Sequence, residues 1–284
     1  MSKKIKKVLI KIIPVKKIRK KLRDDMKAKE GDISLLPKGL KNLLASKENN
    51  FTHTKDEITI DGVKFKTGGG AYGIAEIFGR KDYEFASPKK EYIFIDVGAN
   101  IGDSALYAAS RKNISKVYAF EPFPQTFKIA EKNIELNPDL KKKIDLFNYG
   151  WSDEDKTSRT QGVARTTDSA VNTTEKFFTE KNTVARTEEF EIILKKSSST
   201  LRKILESTKK PIILKMDVEG AEYKSIADLV KHDMLKHIDI VFIEWHYKGY
   251  KQITDALEKA GFVWFNEKFE PEVGFIRAVN IKKA

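Results

Sequence analysis

Four side chains able to exchange protons or hold a cation stand at the ends of two apolar runs. The run PIILKM leads into Asp217 and Glu219, and the run IDIVFI leads into Glu244 and, two residues later, His246. Nearly continuous apolar strands belong to a parallel sheet covered on both faces, and such sheets bind ligands at their carboxyl edge. All four residues are therefore expected at that edge. A histidine titrates near neutrality, so His246 is a candidate general base, with Asp217 the other. The same set, Asp217, Glu219, Glu244 and His246, is a candidate ligand group for a hard divalent ion such as Mg²⁺, which would lower the pKa of a hydroxyl. Plainer roles compete. Glu219 and Glu222 can serve the positive end of the helix after Gly220, and His246 can be a hydrogen-bonded structural residue. His53, His232 and His237 lack a comparable setting.

A second chemical signal is YIFIDVGANIGDSALYAA, in which a buried strand ends at Asp96 and a glycine-containing turn opens a helix near Gly102 or Asp103. Gly98 and Gly102 allow backbone to approach a ligand, and the helix start offers free N–H groups to an anion. The Gly-x-x-x-Gly spacing departs from the dinucleotide fingerprint, which argues against a nicotinamide cofactor. A strand ending in Glu121 follows, 23 residues after Gly98. An acid at the end of the second strand is placed to accept hydrogen bonds from both ribose hydroxyls of an adenosine ligand.

The elements that must position these groups are legible as alternation. YIFIDV, KVYAF, IDLFNY, PIILKM, IDIVFI, FVWF and VGFIRAVNI read as strands, with helices expected over 103–111, 125–136, 221–231 and 250–259. This pattern predicts an α/β, Rossmann-like architecture: a mainly parallel seven-stranded sheet, helices on both faces, and an antiparallel edge strand contributed by a terminal hairpin. The domain is expected over 91–284, with 152–199, long, polar and rich in Thr and Glu, as an insertion near the mouth of the site. Residues 31–90 read as an extension with a short hairpin and helix. Its triplet Gly68, Gly69 and Gly70 lacks the Lys-Ser/Thr of a phosphate loop.

Composition narrows the class. Cysteine is absent, which excludes disulfides, thiolate metal sites and a cysteine nucleophile and fits a reducing cytoplasm. The net charge is +13, of which residues 1–30 carry +10 (13 basic, 3 acidic), leaving +3 for the rest. Within this arm Ile5, Val8, Leu9, Ile12 and Ile13 share one helix face, lysines fill the other, and Pro14 interrupts before Val15, Ile18 and Leu22 resume. Lysines break each apolar run well short of the ~20 residues needed to span a bilayer. The arm is expected to lie on an anionic membrane surface, making the protein cytoplasmic and peripheral; a solvated tail or a helix docked on the core are the alternatives.

In the order DVGANIGDSA, FEP, LKMDVEGAE and a strand ending in E-x-H, the chain resembles the FkbM family of methyltransferases over residues 91–250. The resemblance implies methyl transfer from S-adenosylmethionine, usually to a hydroxyl oxygen, with members found in polyketide tailoring and in surface-glycan gene sets. By that resemblance Asp96, Gly98, Asn100 and Gly102 match the methionine-side turn and Glu121 the ribose-binding acid. Trp151, Ser152 or their neighbours would border the adenine, and Asp217 matches a residue at the methyl-transfer edge. One departure is the stretch SSSTLRKIL, where Arg202 follows Leu201 in place of a Leu-Asp pair. The acceptor expected from the resemblance and the arm is a bacterial surface polysaccharide or its lipid-linked precursor, a glycan or glycolipid. A nucleic-acid methyltransferase is the competing enzyme; Trp151, Trp245 and Tyr247 favour it, and the core charge of only +3 opposes it. A cofactor-binding module without turnover, recruited to a membrane, is the non-enzymatic alternative.

Overall fold

A computed structural model describes residues 50–54, 57–66, 71–85, 91–163 and 187–283. The basic arm, the glycine triplet and the middle of the polar 152–199 segment lie outside the described residues. The chain divides into two compact units, with the boundary between Asp82 and Tyr83.

The first unit is built on a meander of β1 (Phe51–His53), β2 (Glu57–Ile60) and β3 (Val63–Lys66), all antiparallel. Alternation sets its face: Ile58, Ile60, Val63 and Phe65 are buried. Asp61 and Gly62 turn between β2 and β3 with φ of 50° and 79°, the positive values that a two-residue hairpin turn requires. Helix α1 (Ala71–Ile74) runs into a π-helical turn at Ala75–Gly79 and brings Phe78 edge-on to Phe65, centroids 5.8 Å apart.

The second unit holds a seven-stranded sheet in the order β12-β13-β11-β10-β4-β5-β6. Its strands are β4 (Tyr92–Val97), β5 (Ile114–Phe120), β6 (Ile144–Phe147), β10 (Ile212–Asp217), β11 (Ile240–His246), β12 (Phe262–Glu270) and β13 (Val273–Asn280). From β6 to β11 all neighbours are parallel. The terminal hairpin lies at the edge, and its return strand β13 slots between β11 and β12, antiparallel to both.

Between the strands run α2 (Asp103–Ser110), α3 (Pro124–Glu135), the short α4 (Pro138–Lys141), α5 (Ser197–Ser207), α6 (Glu222–Lys231) and α7 (Lys251–Ala260). Leu201 and Ile204 of α5, Ile226 and Leu229 of α6 and Ile253 and Leu257 of α7 share one core cluster with Ile93, Ile95 and Val97 of β4. On the other side of the sheet Phe94 and Phe242 meet Tyr83, at centroid distances of 6.5 and 5.7 Å. Of the polar segment, β8 (Lys156–Val163) and β9 (Thr187–Lys196) pair with β7 (Gly150–Ser152) in a separate three-stranded sheet.

The chain enters the sheet at β4 and grows outward in both directions, through β5 on one side and β10 on the other. At such a reversal the connections leave on opposite faces, opening a crevice at the carboxyl ends of the two central strands. Asp217 ends β10, and Asp96 stands one residue before the end of β4 at Val97.

Candidate active site

The turn after β4 is a backbone device. Gly98 and Gly102 both sit at φ 85° and Asn100 at φ 51°. The N–H groups of Gly98 and Ala99 donate to the carbonyl of Phe120, at 3.0 and 2.9 Å, which ties the turn to β5. At Gly98 the need for glycine is steric as well, because a Cβ there would lie 1.9 Å from the backbone oxygen of Asp217. The turn and the end of β10 are thus in van der Waals contact.

Glu121 closes the other side of the turn. Its Oε2 accepts from Asn100 N–H and its Oε1 from Phe123 N–H, both at 3.0 Å, so the side chain is fixed before any ligand arrives. Burial pushes this carboxyl up to about 8, opposed by the two N–H donors. Burial likewise raises Asp103, at the start of α2, to about 7. Beside them the side-chain oxygen Oδ1 of Asn100 is buried with no hydrogen-bond partner, an orphan at the mouth of the turn.

Beneath the turn lies a charged residue that the apolar pattern hid. Lys215, inside β10 and 2% exposed, donates to the Gly98 carbonyl at 2.6 Å and pairs with Asp96 Oδ1 at 3.1 Å. Burial alone would lower its pKa; Asp96 and Asp217 outweigh that and raise it. Ser104 of α2 donates to the other Asp96 oxygen at 2.6 Å. Asp96 therefore serves inward, as the anchor that joins β4, β10 and α2.

The second half of the site is a cluster at the ends of β10 and β11, where Asp217 and Glu244 stand in register. Asp217, Glu219 and His246 each offer a ligand atom within 4.8 Å of the others. His246 is 4% exposed, with Nε2 at 3.7 Å from Glu219 Oε2 and 3.6 Å from Glu244 Oε1. Its Nδ1 donates to Glu222 Oε1 at 2.8 Å. Glu222, fully buried, also accepts from the N–H groups of Gly220 and Val218, at 3.1 and 3.3 Å. Glu219 sits at φ 52° and Gly220 at φ 110°, a turn that curls the chain back over its own helix start. Tyr223 braces the far side, its hydroxyl 2.9 Å from the carbonyl of His246 and 2.8 Å from that of Gly249.

The electrostatics of the cluster are strong. Burial raises Glu219 to about 8, with His246 pulling the other way and Asp217 and Glu244 adding to the rise. Burial and Asp217 also raise Glu244. For His246 burial acts downward, and the carboxylates of Glu219 and Glu222 overcome it, holding the ring well above its ordinary value.

All the expected residues of the turn and the cluster thus meet around the β4–β10 crevice. The two remaining ones do not present side chains in the expected way. Trp151 is 2% exposed and packs in the core against Phe120 at 5.4 Å, and Ser152 is 3% exposed and donates to Asp153 at 3.0 Å. Trp245 is a core residue too, 1% exposed, donating to Asn266 at 2.7 Å. These buried indoles offer no faces for stacking bases, whereas Tyr247, the third aromatic of that reading, is half-buried. Lys215, Glu222 and Ser104 were missed. A lysine inside an otherwise apolar strand was the available signal for the first.

A family model described as the Methyltransferase FkbM domain matches residues 96–264, more than half of the chain. The chain belongs to the FkbM methyltransferase family. The match to FkbM begins at Asp96 and runs through Glu121, the Asp217–Glu222 turn and His246. Among curated relatives, "Methyltransferase 1" of Beauveria bassiana is 31% identical over 166 residues, covering 52% of this chain and 62% of that protein. "Methyltransferase sdnD" of Sordaria araneosa is 35% identical over 65 residues, 23% of this chain and 25% of its own. The chain therefore spans less than two thirds of the length of these relatives. Similar solved structures include the FkbM methyltransferase of Methylobacillus flagellatus KT, at 13% identity and TM-score 0.43, covering 73% of this chain and 53% of that one. Another is M. capricolum TrmK in complex with S-adenosyl-homocysteine, at 12% identity and TM-score 0.40, covering 71% and 66%.

Proposed function

We propose that this FkbM-family chain transfers a methyl group from S-adenosylmethionine to a hydroxyl of a bacterial surface polysaccharide or its lipid-linked precursor. The observation that carries the reading is the contact of Gly98 with the Asp217 backbone, which sets a nucleotide-cofactor turn against a cluster of proton-accepting side chains. The residues present suit the cofactor. The turn Asp96–Gly102 offers an ammonium or carboxylate group backbone partners and the unpartnered Asn100 oxygen, and Glu121 is held with lone pairs free for ribose hydroxyls.

When bound, the cofactor supplies a sulfonium-activated methyl carbon: the acceptor oxygen forms the O–C bond as the C–S bond breaks, sulfur keeping the electron pair. Most of the acceleration in such a displacement comes from alignment at near contact, the task of a rigid turn. A sugar hydroxyl must also lose its proton, and a positioned base contributes ~10²–10⁴-fold. We assign that proton to the carboxylate–imidazole cluster, with Asp217 and His246 its central members.

A glycan acceptor is supported by the chemistry of the cluster and by the basic amphipathic arm, whose sequence suits an anionic membrane face where lipid-linked sugars are assembled. Among the described residues no helix is long and apolar enough to cross a membrane. The test compares methylated sugars in surface glycan from cells with and without the protein. Loss of one methylated sugar, restored by the wild-type chain and not by Asp217→Asn, supports the reading; unchanged methylation overturns the glycan assignment. Cofactor binding with no methyl transfer to any cell fraction would point to the non-catalytic module instead.

A further inference from the structure

His246 is oriented in a way that proton transfer alone does not require. The Glu222 carboxylate, already accepting two backbone N–H groups, also accepts the Nδ1–H at 2.8 Å, so that once a bound ion displaces the ring's second proton the lone pair stands on Nε2. That nitrogen, on a side chain only 4% exposed, is aimed between Glu219 and Glu244 at 3.7 and 3.6 Å. Both gaps exceed hydrogen-bond length. The gap to Glu219 is close to the edge of a coordination polyhedron, since donors ~2.1 Å from a common ion and ~110–120° apart lie roughly 3.4–3.6 Å from each other, and Asp217 offers a third ligand atom within 4.8 Å of these two. A buried carboxylate behind the distal nitrogen is the usual way a protein fixes the tautomer and direction of a metal-binding histidine.

We propose that Asp217, Glu219 and the Nε2 of His246 hold one divalent cation of the Zn²⁺/Mn²⁺ type, with Glu222 as the positioning residue behind His246. One nitrogen with two carboxylate oxygens is a donor set that first-row divalent ions accept better than Mg²⁺. Three protein ligands leave a coordination position open, as in catalytic sites. Such an ion would lower the pKa of the acceptor hydroxyl; Asp217 and His246 would then act on the proton as ligands and not as bases, and Glu244, the carboxylate outside the ligand set, would accept it. This assignment rests on the methyl-transfer reading and deepens it.

The test titrates the purified, chelator-treated full chain with Co²⁺ alone, reading visible absorption, and then with Zn²⁺ as competitor. S-Adenosylmethionine binding is measured on the same samples by calorimetry. The expected result is saturable Co²⁺ absorption at one ion per chain, displaced by Zn²⁺ and weakened at least tenfold in Glu219→Gln and His246→Asn. Glu222→Gln should weaken it by roughly 10–100-fold, the scale of such supporting contacts. Cofactor affinity in these variants should stay within threefold of wild type, which also shows that they fold. Cofactor binding without saturable Co²⁺ binding, or Co²⁺ binding unchanged in His246→Asn, overturns the cation site and leaves the methyl-transfer reading standing. Absence of cofactor binding in the folded wild type overturns that reading whatever the ion does.

Discussion

Gly98 and Asp217 stand so close that one methyl group on the glycine would fall 1.9 Å from the aspartate's backbone oxygen. The turn after β4 thus touches the end of the neighbouring strand β10, and the proposed cofactor and acceptor halves of the site meet at that contact. Gly98→Ala combines a positive φ of 85° with this clash. Together these cost roughly 2–5 kcal/mol. A denaturant midpoint shifted by that amount, with cofactor affinity reduced at least tenfold in the protein that remains folded, is the expected result. Unchanged stability would contradict the contact.

Lys215 and Asp96 form an ion pair with side chains 3% and 0% exposed. Removing one partner of such a pair costs about 3–5 kcal/mol because the other is left charged and buried. Lys215→Met should therefore destabilise strongly, and adding Asp96→Asn should recover part of the loss. Urea unfolding of the two single variants and the double variant measures this; simple additivity would contradict the coupling.

If Glu121 holds the cofactor ribose as proposed, binding should depend on pH. Its carboxyl stands at about 8, raised by burial, with Lys215 acting to lower it and Asp96 to raise it. Ribose hydroxyls donate to the ionised form, so binding expels the proton. Affinity attributable to Glu121 therefore rises as pH increases towards about 8 and levels off above it. The ratio of wild-type to Glu121→Gln affinity, which cancels the ligand's own ionisation, should grow from pH 6.5 to 9. A ratio flat across that range would contradict the assignment.

How much of this was legible in the sequence depended on whether a residue's role was local. Buried parallel strands are nearly continuous apolar runs, so β4, β10 and β11 and the residues at their ends could be read directly. The turn Asp96–Gly102 and Glu121 followed from the same strand-turn-helix logic. A lysine inside an apolar strand marks Lys215 as unusual, but its role could not be read, because its partner, the Gly98 carbonyl, is 117 residues away. Glu222 has the sequence signature of helix-start decoration, and only the fold brings it to His246. Trp151 sits two residues beyond Tyr149, where the sequence pattern ends the strand. A break at residues 148–149 starts β7 there, and the indole turns into the core. The pairing of β7 with β9 crosses more than 40 residues of polar sequence, which carries no periodic signal of a partner.

The arm makes a prediction of its own. Residues 1–30 carry a net +10 on an amphipathic pattern, and each basic residue near an anionic surface contributes about 1 kcal/mol. The full chain should co-sediment with phosphatidylglycerol-containing vesicles at low salt and be released by raised salt, whereas a chain lacking residues 1–30 should stay in the supernatant. Equal binding by both would place any membrane contact elsewhere.

The central claim is that the Asp96–Gly102 turn and Glu121 form a site for S-adenosylmethionine. Isothermal titration calorimetry of wild type beside Glu121→Ala tests it most directly. One cofactor bound per wild-type chain, weakened at least tenfold in a variant with an unchanged circular dichroism spectrum, is the predicted result. A folded wild type that binds no cofactor, or a variant that binds as well as wild type, would contradict it.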